Sequence, residues 1–202
     1  IEMSYDDFNH ERCLDRCTVV IDGREFPVSA TMLASRAAYF YQCFMEPAFT
    51  ESKTRTLDLT KTVEVANISA DDFVAFLRRA YVISDPMDGN SYQALLKCAD
   101  FFSSHQILAE AEKFIIENCC PQKWQANKKN PKKPFAINLI VGIELAFQYN
   151  LETAKTHMQK MLGRFRFHTF LRDYPEVMQM QPDQRAWIFD YYAKSIIASQ
   201  KP

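Results

Sequence analysis

The stretch Thr18-Val19-Val20-Ile21-Asp22-Gly23-Arg24-Glu25-Phe26-Pro27-Val28 decides how the first half of the chain folds. Residues 17–21 are rich in β-branched side chains, which is typical of a strand. Asp22-Gly23 is a favoured pair for a two-residue hairpin turn, and residues 24–28 return as the partner strand. Pro27 has no backbone N–H to donate, so its position is expected to need none for strand pairing. The sequence therefore predicts a β-hairpin.

Helical periodicity follows the hairpin and continues, with interruptions, as far as residue 118. Apolar residues recur at helical spacings over residues 30–46, and Pro47 ends that pattern. Residues 56–60 alternate apolar and polar side chains, which indicates a half-buried strand. Amphipathic helices are then predicted from Ser69, which can act as an N-cap, over residues 91–102 and over residues 106–118.

The rest of the chain is predicted to be helical after a break. Residues 119–135 contain three prolines and are interpreted as a linker. Periodicity resumes over residues 136–150, 152–163 and 183–199. A shift that places Ala99 on Ala146 also superimposes one predicted helical hairpin on another without gaps. The shift indicates an internal repeat, although any two amphipathic hairpins align at some shift.

Charge and glycine content exclude several classes of function. The net charge is -1 at pH 7, whereas nucleic acids and anionic membranes select for a clear basic excess, so neither partner is predicted. With only 4 glycines, the chain has no glycine-rich phosphate loop. A local cluster of lysines within the linker is interpreted as solvated, with a localisation signal or a phosphate site as the alternative; its members are Lys128, Lys129, Lys132 and Lys133.

Cysteine and histidine spacing argues against metal binding and catalysis. The six cysteines match no paired zinc-ligand pattern, and the four histidines are scattered. No nucleophile-elbow or phosphate-loop motif occurs. We therefore predict no enzyme activity, no cofactor and no metal site. Cysteines within apolar stretches are predicted to be reduced, which indicates an intracellular protein of the cytoplasm, the nucleus or both.

The order of the predicted elements and several short motifs resemble a BTB/POZ domain. Residues 18–28 resemble the opening hairpin of that family, and Met32-Leu33-Ala34-Ser35-Arg36-Ala37-Ala38-Tyr39-Phe40 resembles its "LAxxSxYF" helix junction. Ala99-Asp100-Phe101-Phe102 is similar to the family's "AADYL" helix. The resemblance covers about residues 12–118 and is closest to BTB proteins of the MATH-BTB or BTB-BACK type.

The resemblance implies a fold class and a division into domains. The expected class is α+β, a BTB/POZ fold with a small β-sheet flanked by helices, followed by an all-helical extension similar to a BACK domain or 3-box. The expected domains are a BTB/POZ domain over residues 1–120, a linker over residues 121–135 and the helical extension over residues 136–202.

A hydrophobic-x-Glu motif carries the sharpest functional expectation. Cullin-binding BTB domains have this motif before the third strand, where Phe49-Thr50-Glu51 stands in this chain. The resemblance implies that Phe49 enters a pocket on a cullin-3 type scaffold and that Glu51 orients the contact. Tyr81 matches a family position that borders the same surface, with an interior tyrosine whose hydroxyl is satisfied as the alternative.

The family also implies a two-fold dimer interface in the N-terminal half. The residues that match it are Leu14, Thr31, Met32 and Ser35. Many members have Asp before the first strand and His after the second, whereas Arg16 and Ser29 are read at those positions here, with Asp15 one residue away. This departure disfavours a co-repressor-type role.

The function implied is therefore a homodimeric substrate adaptor that recruits a cullin-3 type ubiquitin ligase and an unidentified substrate protein. The alternative is a BTB oligomerisation module of a transcriptional regulator or scaffold without a ligase role. On the last predicted helix, Trp187, Tyr191 and Tyr192 are expected to bury against the preceding hairpin, with a groove for a partner peptide as the alternative.

Overall fold

A computed structural model describes residues 15–81, 87–120 and 136–199 of the chain. The chain divides into two compact units, Ile1–Ala111 and Glu112–Pro202. Each unit is built around its own buried apolar residues, and the unit boundary falls within a helix. The predicted domain limits at residues 120 and 136 stay a prediction.

The first unit contains a three-stranded sheet in the order β2-β1-β3. The strands are β1 (Arg16–Ile21), β2 (Arg24–Ser29) and β3 (Thr56–Asp58). β1 pairs antiparallel with β2 and parallel with β3. Asp22 and Gly23 join β1 to β2 with φ angles of 53° and 71°, the left-handed conformation that a type I′ hairpin turn requires at both positions. The predicted hairpin is confirmed, and Pro27 lies on an edge strand.

Among the described residues up to 118, seven helices follow or interrupt the strands. They are α1 (Ala30–Arg36), α2 (Ala38–Met45), α3 (Glu51–Thr54), α4 (Thr60–Val65), α5 (Ala70–Tyr81), α6 (Tyr92–Phe101) and α7 (His105–Asn118). Asp72 donates its backbone N–H to Ser69 Oγ over 3.1 Å, and the Ser69 N–H reaches the Asp72 carboxylate over 3.0 Å. This reciprocal capping box confirms that the helix predicted from Ser69 begins there.

The helical pattern predicted over residues 30–46 is broken at Ala37, which is extended with φ -147° and ψ 127°. Ala38 and Tyr39 donate their backbone N–H groups to the carbonyls of Ser103 and Phe102 over 3.3 and 3.2 Å. These carbonyls in the α6–α7 turn satisfy donors that a new helix leaves open. The turn therefore acts as the cap of α2 and holds α2 against α6.

A cluster of phenylalanines forms the centre of the first unit. Phe40, Phe73, Phe76 and Phe102 are all fully buried. The Phe40 and Phe102 rings lie 4.7 Å apart, and Phe76 lies 5.3 Å from Phe102. Burying one such side chain contributes roughly 1.5–3 kcal/mol. The cluster fixes the inner face of α2 against α5 and α6, so the outer face of α2 is held rigidly toward solvent.

The second unit is mostly helical. Its elements after α7 are β4 (Cys119–Cys120), β5 (Ile137–Asn138), α8 (Leu139–Gln148), α9 (Glu152–Leu162), α10 (Phe167–Asp173), a 3₁₀ helix (Pro175–Gln179) and α11 (Pro182–Ser199). The three predicted helices are present as α8, α9 and α11. The parallel pair β4–β5, α10 and the 3₁₀ helix were not predicted from the sequence. Among the described residues, no helix is long and apolar enough to cross a membrane.

The internal repeat has a counterpart in turn geometry. The same shift that places Ala99 on Ala146 carries the bounds of α6 onto those of α8. Ser103 and Asn150 both adopt positive φ, at 56° and 51°. In the first hairpin Ser104 donates its backbone N–H to Ala99 O over 2.7 Å, and in the second Leu151 donates its backbone N–H to Ala146 O over 2.8 Å. The two hairpins therefore turn in the same way.

Candidate protein-interaction surface

Phe49 lies in the turn between α2 and α3. Its backbone N–H donates to Glu46 O over 3.2 Å, and its carbonyl accepts from the Ser52 hydroxyl over 2.7 Å. These bonds fix the backbone of the turn, yet the Phe49 side chain is 39% exposed. Without the resemblance to cullin-binding domains, Phe49 would be expected in the core. In the structure the ring instead stands at the surface on a fixed backbone.

Glu51 is the first residue of α3 and is half-buried. Burial, followed by the neighbouring Cys43 and Glu51, raises the pKa of Tyr39 to about 12. Burial and then Glu51 also raise the pKa of the Cys43 thiol. The Glu51 carboxylate therefore lies close enough to α2 to act on these groups. Phe49 and Glu51 belong to one turn, as the motif implied.

A groove of about 400 Å³ lies along α2 beside the Phe49 turn. Its lining includes Ser35, Tyr41, Gln42, Glu46, His105 and Gln106. Tyr41 is 53% exposed, and Glu46 both lines the groove and accepts the Phe49 N–H at its carbonyl, so the groove and the turn share this residue. We call Tyr41, Gln42, Glu46, Phe49 and Glu51 the α2 surface. Sequence reasoning missed Tyr41, although its position off the stripe that contains Phe40 and Phe44 was a usable signal.

Tyr81 is placed differently from the turn residues. It is the last residue of α5 and is half-buried, and its hydroxyl accepts the Ser29 backbone N–H over 2.7 Å. This matches the alternative of an interior tyrosine with a satisfied hydroxyl. The hydroxyl therefore stabilises the backbone where β2 ends and α1 begins. A direct role of Tyr81 in cullin binding stays a prediction.

Asp15, and not Arg16, precedes the first strand. Arg16 is the first residue of β1 and pairs in register with Ser29. The Asp15 carboxylate accepts the Ser29 hydroxyl and the Thr31 backbone N–H, each over 2.8 Å, while Ser29 Oγ caps α1 by accepting from the Met32 N–H over 3.1 Å. An acidic side chain therefore stands directly before β1 and is hydrogen-bonded to the end of β2. The match of Arg16 and Ser29 to the family's charged positions stays a prediction.

Three of the four predicted dimer residues lie on α1. Thr31 and Ser35, four residues apart, are exposed on one face, and Met32 is half-buried beside them. Leu33 and Ala30 bury the opposite side. Leu14 lies outside the described residues, and so do the four lysines at positions 128–133. An exposed face with a methionine at its centre is available for a two-fold contact, which itself stays a prediction.

In the aromatic cluster on α11, Tyr192 is buried, and Trp187 and Tyr191 are half-buried. Tyr192 is 5% exposed and donates its hydroxyl to Leu162 O of α9 over 3.0 Å. Trp187 meets Phe147 of α8 edge to face at 5.4 Å. The predicted packing against the preceding hairpin is confirmed for these two. In the parts of the chain that the structure describes, no group of three or more His, Cys, Asp or Glu residues is placed to hold a metal ion.

Comparison with known proteins assigns the first half of the chain. The model of the BTB/POZ domain family matches residues 5–119, more than half of the sequence. Among solved structures, the BTB (Tramtrack and Bric a brac) domain of human gigaxonin is similar, with 20% identity, 52% of this chain and 80% of that chain covered, and a TM-score of 0.40. No curated protein matches the chain. The chain belongs to the BTB/POZ domain family, whose domains are protein–protein interaction and oligomerisation modules.

Proposed function

We propose that this chain is a homodimeric substrate adaptor that recruits a cullin-3 type ubiquitin ligase. The observation that carries the proposal is the exposed Phe49 on a hydrogen-bonded turn, with Glu51 two residues on. Cullin-binding BTB domains use a hydrophobic-x-Glu motif at this place before the third strand, and β3 begins at Thr56.

The turn is suited to act as an anchor. A large aromatic side chain that enters a partner pocket is a frequent hot spot, and truncation of a hot-spot residue costs about 2 kcal/mol or more. The backbone around Phe49 is already held by bonds to Glu46 and Ser52. Because little order has to be gained on binding, more of the contact energy appears as affinity.

The rest of the α2 surface supports the same contact. Tyr41 adds a second exposed ring, and Glu46 and Glu51 place two carboxylates on the same surface. A partner with an apolar pocket and basic groups around it would match both features. Phe49 would provide affinity and the carboxylates would fix orientation.

Dimerisation is proposed through α1. Thr31, Met32 and Ser35 present a small, mixed surface, which a two-fold axis would place against itself. Leu14 would add to the same interface. The substrate protein would bind the second unit or a segment outside this chain.

Calorimetric titration with the N-terminal domain of cullin-3 tests the proposal. We expect the wild-type chain to bind and the variant with Phe49→Ala and Glu51→Lys to lose most of that binding. The matched controls are Val141→Ala, which truncates a residue of similar exposure at 37% in the second unit, and Glu64→Lys, which reverses an exposed charge on α4. Equal binding by the double variant would place the contact elsewhere.

The alternative, an oligomerisation module of a transcriptional regulator or scaffold, gains support from one observation. The Asp15 carboxylate stands directly before β1 and accepts the Ser29 hydroxyl, and members with a charged interface pocket have an acid just before the first strand. A folded dimer that shows no heat of binding with cullin-3 would favour this alternative over the adaptor.

A further inference from the structure

The second unit contains a groove that the BTB assignment does not explain. It has a volume of about 330 Å³ and lies between the chain that leaves α9 and the last turns of α11. Its lining includes Phe165, Arg166, Phe167, Tyr191, Ser195 and Ile196. Such a volume is at the lower end of the roughly 300–1,000 Å³ range of ligand sites. It has room for a short peptide side chain.

The apolar walls of the groove are held from behind. Phe167 is 37% exposed, and its ring lies 5.0 Å from Tyr192 and 5.7 Å from Phe189. Tyr191 lies 5.5 Å from Tyr192, which is anchored to the α9 carbonyl of Leu162. The groove therefore exists before any partner arrives, because its rings rest on buried aromatic side chains.

Tyr191 lies over a residue without a side chain. A Cβ added to Gly163 would stand 2.5 Å from the Tyr191 hydroxyl oxygen. The glycine thus allows the tyrosine to lie flat across the end of α9. Any larger residue at position 163 would displace the Tyr191 hydroxyl from its present place.

The charge around the groove is positive and uncompensated. From Lys160 to Arg172 the sequence contains four Lys and Arg residues and no Asp or Glu. In the described part of the second unit, Lys113, Lys155, Arg172 and Lys194 each pair with an acidic residue. Lys160, Arg164 and Arg166 make no ion pair with any described residue.

The same positive charges act on His157. Burial, followed by Lys160 and Arg164, holds the pKa of His157 below its usual value. Asp190 on α11, the acidic residue next to Tyr191, is already bound to Lys194 over 2.6 Å. The positive charge beside the groove is therefore left for a partner to neutralise.

We propose that this groove binds a short acidic peptide of a partner protein, with an aromatic or leucine side chain between Phe167 and Tyr191 and carboxylates on Arg166 and Arg164. Fixed aromatic walls favour a rigid apolar anchor, and uncompensated guanidinium groups favour carboxylates, which they can bind with two parallel hydrogen bonds. The groove lies entirely within the second unit, so the proposal is independent of cullin binding.

Fluorescence anisotropy with the full chain tests the proposal. The probe is a fluorescein-labelled peptide, Asp-Glu-Asp-Phe-Glu-Asp-Leu-Glu. Two matched peptides replace either all its acids by their amides or both its apolar residues by serine. We expect the first peptide to bind and each matched peptide to bind at least about 10-fold more weakly. The amide peptide loses several ion pairs together, each worth up to about 1 kcal/mol when exposed. The serine peptide loses the apolar anchor that the aromatic walls favour.

Variants of the chain locate the site. Arg166→Gln removes one exposed charge and should weaken binding about 3-fold, and Arg166→Glu, which repels the peptide, about 10-fold. Gly163→Ala should weaken it by displacing Tyr191. Lys113→Glu makes the same charge reversal on α7 and should leave binding unchanged. The double variant at Phe49 and Glu51 should also bind the peptide as the wild type does.

Three results would overturn the proposal. The first is no binding of the acidic peptide by a folded wild-type chain. The second is equal weakening by Arg166→Glu and Lys113→Glu, which would indicate attraction without a site. The third is a chain that does not bind the peptide but uses Arg166 for another contact. That contact would be seen as Arg166-dependent binding of polyuridine or of phosphatidylserine vesicles, or as Arg166-dependent self-association in sedimentation.

Discussion

Removing the Tyr81 hydroxyl should destabilise the first unit without abolishing partner binding. The hydroxyl accepts the Ser29 backbone N–H over 2.7 Å at the point where β2 passes into α1. In the variant Tyr81→Phe that N–H loses its acceptor in a half-buried position. A lost hydrogen bond is worth about 0.5–1.5 kcal/mol and an unsatisfied buried donor about 1–3 kcal/mol. We expect the free energy of unfolding to fall by about 1–2 kcal/mol.

Urea denaturation followed by circular dichroism measures this change. In thermal denaturation, each kcal/mol of lost stability lowers the melting temperature of a chain of this size by roughly 2–4 °C, so we expect a fall of about 2–8 °C. Tyr41→Phe is the matched control, because Tyr41 is 53% exposed and loss of a solvated hydroxyl should change stability by less than about 0.5 kcal/mol. A Tyr81→Phe variant of unchanged stability that binds cullin-3 weakly would refute the structural role and place the hydroxyl in the contact.

Three further predictions concern the hairpin, the core and the thiols. Gly23→Ala should cost about 1–2 kcal/mol in urea denaturation from its left-handed backbone alone, since nothing lies within 4 Å of the added Cβ; an unchanged midpoint would contradict this. Phe102→Ala should cost about 3–5 kcal/mol by the same measurement, because Phe102 is fully buried at the centre of the phenylalanine cluster; a loss below about 1 kcal/mol would mean that the cluster repacks freely. Burial raises the pKa of Cys119 to about 12, so it stays protonated at about pH 8, and peptide mapping after iodoacetamide treatment should find the less buried Cys120 modified well before Cys119.

Local chemistry made part of the fold predictable. The β1–β2 hairpin follows from Asp22-Gly23, because a type I′ turn needs two residues that tolerate positive φ. The start of α5 follows from Ser69 with an acid three residues later. In both cases the residues that decide the structure are neighbours in sequence.

The features that were missed depend on distant partners. The break at Ala37 was implied by the resemblance of residues 32–40 to a helix junction, but the carbonyls of Phe102 and Ser103 that cap α2 there lie more than sixty residues away and no local pattern marks them. β4 exists only because Cys119 pairs with Ile137 across the predicted linker. A pattern read along the chain does not contain such contacts.

The candidate surface divides in the same way. Phe49 and Glu51 were found through their resemblance to a family motif, and the exposure of Phe49 agrees with a contact role. Tyr41 was missed because no family motif marks it, although it lies off the apolar stripe of α2 and is 53% exposed. Tyr81 was placed at the surface by family position, whereas its hydroxyl bond to Ser29 depends on the fold.

Light scattering coupled to size-exclusion chromatography tests the adaptor proposal most directly, because it reports dimerisation and cullin binding together. We expect the chain alone to have twice its monomer mass of 23.5 kDa. We also expect two copies of the N-terminal domain of cullin-3 to add to that dimer, and the variant with Phe49→Ala and Glu51→Lys to stay a dimer without cullin. A folded wild-type chain that gains no mass from cullin-3 would contradict the adaptor proposal.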